Sequence, residues 1–258
     1  MRKYQAFFRI RFINTLQYRS AAIAGMATQL AWGLMEILAF HAFYQADPSA
    51  FPMTFQQTVL SLFMLWFFEA EIFNTITTGS IAYELVRPMN LYNRWFCQSA
   101  ANRLAKAVLR CGPIFVIAFL LPAPYRLILP ANIVALFLFL LSMALSLGVV
   151  IAMSQLVYIS TFYTLSSIGV RIVISSIGEF LAGGVIPLPF FPQPFRQFVE
   201  LLPFASMQNV PLRIYNGDLT GFALVSALLL QAFWLVLLIV IGKIWLQQAL
   251  KRVVVQGG

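Results

Sequence analysis

The chain of 258 residues is 61% hydrophobic and 10% charged, with a mean hydropathy of +0.85. A soluble globular domain carries about 25% charged residues, so this composition excludes that class and indicates a membrane protein with several spans. The net charge of +9 does not indicate nucleic-acid binding, because the basic residues border apolar segments instead of forming an accessible patch.

Residues 1–20 are basic and aromatic, and they predict an amphipathic helix lying in the cytoplasmic interface of the membrane. Its arginines would reach lipid headgroups, although Arg11 and Arg19 fall on the aromatic arc. A frayed basic leader is the alternative interpretation. No small-residue cleavage motif follows, so we expect no cleaved signal peptide.

Six apolar segments predict an all-α fold with six transmembrane helices. The predicted spans are residues 21–44, 55–78, 103–121, 131–156, 172–186 and 222–246. The first span is long enough to cross about 30 Å of hydrocarbon. In the fourth span Ala144, Gly148 and Ala152 recur at every fourth position and predict a close helix contact. A short loop is predicted at Ser160–Thr164, before the fifth span.

The Lys and Arg residues predict the orientation of these spans. Of the 17, fourteen fall on the side that holds both termini, and three fall on the other side, namely Arg126, Arg196 and Arg213. Cytoplasmic segments of membrane proteins carry the excess of Lys and Arg. Both termini are therefore predicted to be cytoplasmic, in a single transmembrane domain of residues 1–258.

Residues 79–96, here called the corner, interrupt the apolar sequence between the second and third spans. Pro88 lacks an amide proton and restricts Arg87, so the preceding helix should end near Arg87 and a new helix should begin at about Leu91. The corner also carries charged and aromatic side chains. It is suited either to the membrane surface or to contact with another protein.

Three cations continue beyond the corner at helical spacing. Arg103, Lys106 and Arg110, here called the basic stripe, lie within about 60° of one helix face. They are predicted to bind anionic headgroups, or an anionic part of a substrate, at the inner leaflet. Pairing with Glu84 or with a carboxylate of a partner protein is the alternative.

Residues 187–219, here called the proline-rich segment, contain six prolines within apolar sequence. One helix cannot accommodate them, so the segment is predicted to form short re-entrant helices on the external side, covered by protein. Phe190, Phe191 and Phe204 would form an apolar lid against a second subunit.

No motif of a hydrolase, a metalloprotease or a phosphate-binding loop occurs in the sequence. Cys97, Cys111 and His41 predict neither a disulfide nor a metal site. The remaining chemical candidates are carboxylates within the spans, because an intramembrane carboxylate usually faces a cavity or a partner. These candidates are Glu69, Glu71 and Glu179. They would line a translocation path or bind a cationic part of a substrate. Alternatively, each would be protonated or paired with an Arg, Asn or Gln side chain of a neighbouring helix.

This order of features resembles the permease subunits of the ABC-2 family of ABC transporters. The stretch Tyr83–Tyr92 is similar to a Leu-x-Arg-Pro loop of one subgroup of that family. The stretch Pro187–Pro192, together with Leu202–Ala205 and Pro211, resembles the external segment of the same subgroup. The resemblance covers essentially the whole chain.

The resemblance implies a permease that acts as a homodimer or heterodimer in the cytoplasmic (inner) membrane of a bacterium. A separate cytoplasmic ATPase subunit would bind ATP and Mg, so this chain would bind no cofactor and would not itself be an enzyme. The corner would hold the coupling helix. The residues expected to contact the ATPase are Glu84, Leu85, Arg87, Pro88, Asn90, Leu91, Tyr92, Arg94 and Trp95. Alternatives are a membrane-embedded enzyme or accessory subunit that uses Glu69 and Glu71, and a scaffold without an ATPase.

Overall fold

The computed structural model describes residues 2–46, 70–120, 122, 132–164 and 167–251. Across these ranges the regular structure is helical and contains no strand, which confirms the predicted all-α class. The helices are α1 (Arg2–Leu16), α2 (Arg19–Ala46), α3 (Ala70–Thr77), α4 (Ile81–Leu85), α5 (Leu91–Leu120), α6 (Ile133–Thr164), α7 (Ser167–Leu181), α8 (Gln193–Leu201), α9 (Asn209–Tyr215) and α10 (Gly221–Leu250), with a 3₁₀ turn at Leu188–Phe190 before α8.

Three helices among the described residues are long and apolar enough to cross a membrane. They are Ile23–Gln45 within α2, Ile133–Thr164 and Gly221–Leu250. They contain the predicted first, fourth and sixth spans, apart from a few terminal residues. The chain is therefore a multi-pass membrane protein by the length and composition of its helices.

The other three predicted spans differ from these in identifiable ways. Most of the predicted span at residues 55–78, including Glu69, lies outside the described residues. Helix α5 has 30 residues, but the basic stripe lowers the hydropathy of its middle. Helix α7 has only 15 residues, so it is shorter than the roughly 20 residues that cross a bilayer without tilt.

The loop predicted at Ser160–Thr164 is wrong, because α6 continues unbroken to Thr164. The hydroxyl groups at both ends of this stretch are bonded inside the helix. Ser160 Oγ donates to the Val157 carbonyl at 2.7 Å, and Thr164 Oγ1 donates to the Ser160 carbonyl at 3.3 Å. Ser and Thr can satisfy their hydroxyls on the preceding turn of a helix, so they do not require a loop.

Helix α7 (Ser167–Leu181) begins five residues before the predicted range 172–186 and ends five residues before that range ends. Gly183, with φ of +85°, follows its last turn. The amide of Gly184 donates to the Glu179 carbonyl at 2.9 Å, and that of Gly183 donates to the Phe180 carbonyl at 3.2 Å. This pair of bonds is a Schellman motif, which ends a helix where glycine adopts a left-handed conformation.

Side-chain contacts fix the relative directions of the long helices. Helices α5 and α6 are antiparallel, since Trp95 contacts Phe162 while Arg103 contacts Ser154. Helices α6 and α10 are parallel, since Ser142 contacts Gln231 at one end and Tyr163 stacks on Trp245 at the other.

The small residues of α6 take different positions relative to α10. Gly148 and Ala152 are buried, and a Cβ atom at Gly148 would lie 2.8 Å from the Leu235 side chain. Ala144 is exposed. The predicted close contact therefore forms at two of the three predicted residues.

Candidate functional site

The predicted helix break before Pro88 is present, because α4 ends at Leu85, but α3 ends earlier than the predicted end near Arg87. Helix α3 ends at Thr77, Gly79 has φ of +73°, and the short helix α4 precedes the turn at Pro88. Helix α5 then begins at Leu91, which confirms the predicted start. The Asn90 side chain accepts a hydrogen bond from the Asn93 amide at 3.1 Å and so caps α5.

The inner side of the corner is held by a buried ion pair. Arg94 Nη2 lies 2.9 Å from Glu84 Oε1, and the Trp95 indole donates to Glu84 Oε2 at 2.8 Å. Trp95 is 0% exposed, Arg94 2% and Glu84 9%. Burial lowers the pKa of the Arg94 guanidinium, and the Glu84 carboxylate acts in the opposite direction. Glu84 and Arg94 therefore join α4 to α5 within the protein.

Helix α1 packs along α5 and reaches the corner, which excludes a frayed leader for residues 2–16. The Phe7 ring lies 5.4 Å from the Arg94 guanidinium carbon, on the buried side of the corner. The Tyr4 hydroxyl accepts from the Asn90 amide at 3.2 Å, and Lys3 donates to the Pro88 carbonyl. The interior of the corner is thus shared by α1, α4 and α5.

The Glu71 carboxylate is engaged by two neighbouring helices. Its Oε2 atom lies 2.8 Å from Arg11 Nη1 on α1 and accepts from Gln98 Nε2 on α5 at 3.0 Å. This matches the interpretation in which an intramembrane carboxylate is paired with Arg or Gln. Glu179 is exposed on α7. These two glutamates are not brought together by any described contact.

Aromatic side chains connect the start of α5 to α6 and α10. Trp95 stacks on Phe162 with ring centroids 6.4 Å apart, and it contacts Tyr158 at the same distance. Tyr92 is 2% exposed and lies against Gly242 of α10. Burial raises the pKa of the Tyr92 phenol. Tyr92 and Trp95 are consequently part of the core and not of the surface.

The outer side of the corner is a small exposed surface, here called the apex. It consists of Tyr83, Leu85, Val86, Arg87 and Pro88. Tyr83 is 78% exposed and Val86 is 86% exposed, the highest values in the corner among large hydrophobic residues. The candidates drawn from the sequence did not include these two residues. The available signal was the placement of apolar residues directly before a proline turn, where no core can cover them.

The nine predicted coupling residues therefore divide into two groups. Leu85, Arg87, Pro88 and Asn90 are exposed. Glu84, Leu91, Tyr92, Arg94 and Trp95 are buried against other parts of the same chain. In the structure the buried group contacts α1, α5, α6 and α10 of the same chain, and its contact with an ATPase stays a prediction.

The basic stripe is partly used inside the helix bundle. Arg103 Nη2 donates to Ser154 Oγ of α6 at 2.9 Å, and both Arg103 and Lys106 are half-buried. The side chain of Arg110 lies outside the described residues. The Arg103 bond joins α5 to α6, so this residue contributes to helix packing.

The predicted lid residues also contact helices of their own chain. The ring centroids of Phe190 and Phe40 of α2 are 5.7 Å apart. Those of buried Phe191 and Phe180 of α7 are 5.2 Å apart. Phe204 is half-buried beside the contact of α6 with α10. The proline-rich segment consists of short helices, as predicted.

Sequence reasoning did not identify the polar residues that hold the proline-rich segment. Gln231 of α10 is 0% exposed, and its amide donates to the Ser206 carbonyl at 2.8 Å. Ser142 of α6 donates to Gln231 Oε1 at 2.8 Å, and Ser146 donates to the Met207 carbonyl. A lone Gln within an apolar span was the available signal.

Comparison with known proteins identifies the family. The model of a family described as ABC-2 family transporter protein matches residues 29–257. No curated protein matches the chain. The match covers the corner, the proline-rich segment, the candidate spans Ile133–Thr164 and Gly221–Leu250, and the first candidate span from residue 29 onward. The chain therefore belongs to the ABC-2 family of transporter proteins.

Proposed function

We propose that this chain is the permease subunit of an ATP-driven ABC-2 exporter. Two permease subunits form the translocation path, and a separate cytoplasmic ATPase subunit supplies ATP binding with Mg and hydrolysis. The observation that carries the proposal is the corner, which combines a rigid buried interior with an exposed apex. Membership of the ABC-2 family supports a permease role for a chain of this composition.

The apex is the part of the corner suited to the ATPase. Tyr83 and Val86 project apolar surface, and Arg87 adds a cation at the same turn. Aromatic residues and arginine often supply most of the binding energy of an interface. Glu84, Arg94 and Trp95 then act indirectly, because they fix the apex relative to α5.

Six spans with cytoplasmic termini belong to the same proposal. Antiparallel α5 and α6, and parallel α6 and α10, are the directions that the third, fourth and sixth spans require. The corner precedes α5, so the apex lies on the cytoplasmic side in this topology. Helix α1 then lies at the cytoplasmic interface, with its exposed Arg9, Ile10 and Ile13 toward lipid.

Contacts of the proline-rich segment support its re-entry into the membrane. Gln231, which contacts Ser206, lies ten residues beyond the start of α10 at Gly221. At 1.5 Å per residue this is about 15 Å along the helix, or half of the hydrocarbon thickness. Non-helical backbone at such depth must be bonded within protein, and Gln231 and Ser146 provide those bonds.

The path itself lies between two permeases in this proposal. Glu179 is exposed on α7, and it is the candidate for lining the path among the described glutamates. Glu71 is less suited, because Arg11 and Gln98 occupy its carboxylate. The same pairing argues against an embedded enzyme that uses Glu71 as an acid or base.

Purification of the tagged chain from its native membrane in mild detergent tests the proposal. We expect an ATPase with a phosphate-binding loop to co-purify in a fixed ratio, and Glu179→Gln to retain it. Val86→Asp should reduce the bound ATPase, whereas Asn93→Asp, at an exposed residue of the corner outside the apex, should not. A chain that transports its substrate without any associated ATPase would overturn the proposal.

A further inference from the structure

Helix α10 contacts both the corner and the proline-rich segment. Near its end, Gly242 and Lys243 lie against Tyr92 of α5, with Lys243 Nζ 6.0 Å from the ring centroid. Nearer its start, Gln231 and Trp234 bond to the Ser206 and Leu201 carbonyls at 2.8 and 2.9 Å. One unbroken helix of 30 residues therefore carries both sets of contacts.

The contact of Tyr92 with Gly242 leaves no room for a side chain at position 242. A Cβ atom there would lie 2.7 Å from Tyr92 Cε2 and 3.0 Å from the Tyr92 hydroxyl oxygen. Real Cβ atoms essentially never lie within 3.0 Å of a neighbour. Glycine within a helix is less favourable than alanine, because its backbone loses more conformational freedom on folding. Glycine at position 242 allows the Tyr92 ring to pack directly against the backbone of α10.

The Tyr92 ring has little freedom to withdraw from α10. It is 2% exposed, and Phe96 stacks beside it with ring centroids 6.4 Å apart. Its hydroxyl has no hydrogen-bond partner among the described residues, so the ring is held by its packing and by the Lys243 ammonium group. Displacement of the first turn of α5 must therefore move α10 or separate the ring from Gly242.

Gly148 provides an internal comparison. A Cβ atom there would lie 2.8 Å from Leu235 Cδ1, which is the far end of a flexible side chain. Leu235 can change rotamer, whereas the Tyr92 ring is confined. Both glycines allow close packing on α10, but only Gly242 faces a rigid group from the corner.

We propose that α10 acts as a rod that transmits movement of the corner to the proline-rich segment, with Tyr92 and Gly242 as the transmitting contact. The inference rests on the proposed function, because the movement originates at the ATPase. Gly242 and Gln231 are eleven residues apart, which is about 16 Å along the helix. Gly242 is a positioning residue in this scheme, since it acts through the seating of Tyr92.

Distance measurements between two spin labels test the rod. Exposed Phe198 on α8 and exposed Ile172 on α7 take the labels, after Cys97 and Cys111 are replaced by serine. The permease is purified with its ATPase and compared without nucleotide and after trapping with ATP and vanadate. We expect the label distance to shift on trapping.

Two variants should abolish that shift while ATP hydrolysis and co-purification of the ATPase remain. Gly242→Ala displaces the Tyr92 ring, and Tyr92→Leu removes it without adding bulk to α10. Gly148→Ala is the matched control and should retain the shift. If Gly242→Ala fails to assemble, Tyr92→Leu alone decides the question.

Two results would overturn the inference. One is an unchanged shift in Tyr92→Leu or in assembled Gly242→Ala, and the other is the absence of any shift in the unsubstituted complex. Either result leaves the proposed function intact, provided that the ATPase is bound. Failure of any ATPase to co-purify counts instead against the proposed function.

Discussion

The inner and outer sides of the corner carry similar residue types but differ in how far those residues are buried. Arg94 and Arg87 are cations seven positions apart, yet Arg94 is buried against Glu84 and Phe7 while Arg87 is exposed. Tyr92 is enclosed by α5 and α10, whereas Tyr83 is 78% exposed. The buried side determines the shape of the corner, and the apex is left available for a partner. Substitutions on the two sides should therefore change different measurements.

The largest expected effect is on the buried side. Arg94→Ala leaves the Glu84 carboxylate buried without its counter-charge, which should lower the free energy of unfolding by about 3–5 kcal/mol. Thermal unfolding of the detergent-solubilised chain, followed by tryptophan fluorescence, measures this loss. Arg87→Ala is the control and should unfold like the unsubstituted chain. If the two variants were equally stable, the buried side would not stabilise the corner more than the apex does.

At the apex, we expect loss of association without loss of stability. Tyr83→Ala should weaken binding of the ATPase by about 2 kcal/mol, or roughly thirtyfold in Kd, because Tyr83 is the aromatic contact of the apex in this proposal. Titration of the purified ATPase onto the reconstituted permease measures the Kd. The Asn93→Asp variant should bind normally. An apex variant that unfolds early while binding normally would reverse the assignment of the two sides.

Asn90 refines the comparison, because its side chain is exposed but has a structural role. Asn90→Ala removes the cap of α5 and should lower the free energy of unfolding by about 1 kcal/mol. Asn90→Ser retains an oxygen that can cap the helix, so its free energy of unfolding should be close to that of the unsubstituted chain. The same fluorescence measurement compares the two variants. Loss of ATPase binding with unchanged stability would place Asn90 in the apex.

The smallest effect is expected at the ion pair between Arg11 and Glu71. Both side chains are partly exposed, so Arg11→Gln should lower the free energy of unfolding by only about 0.2–1 kcal/mol. The difference should diminish as ionic strength rises, because salt screens exposed charges. Unfolding measured at low and high salt provides the check. If Arg11→Gln lowered the free energy of unfolding as much as Arg94→Ala does, the ion pair of α1 with Glu71 would stabilise the fold as strongly as the buried ion pair.

Local sequence rules were sufficient where the cause is local. The start of α5 at Leu91 follows from Pro88 and the capping residue Asn90, which act within a few positions. The prolines of the proline-rich segment likewise dictate short helices. The loop predicted at Ser160–Thr164 was wrong, because the hydroxyl groups there are satisfied by the preceding turn of a continuous helix.

By itself, the sequence determined the class of the protein, its helical nature and the bend at Pro88, because hydropathy and proline stereochemistry are properties of short segments. Only the tertiary structure decided which side chains of the corner are buried. The approach of α1 to Arg94, and of α10 to Tyr92, joins residues more than 80 positions apart. A carboxylate such as Glu84 is equally compatible in sequence with an external partner and with Arg94. Helix packing selects between them, since it alone removes water from one side of the corner.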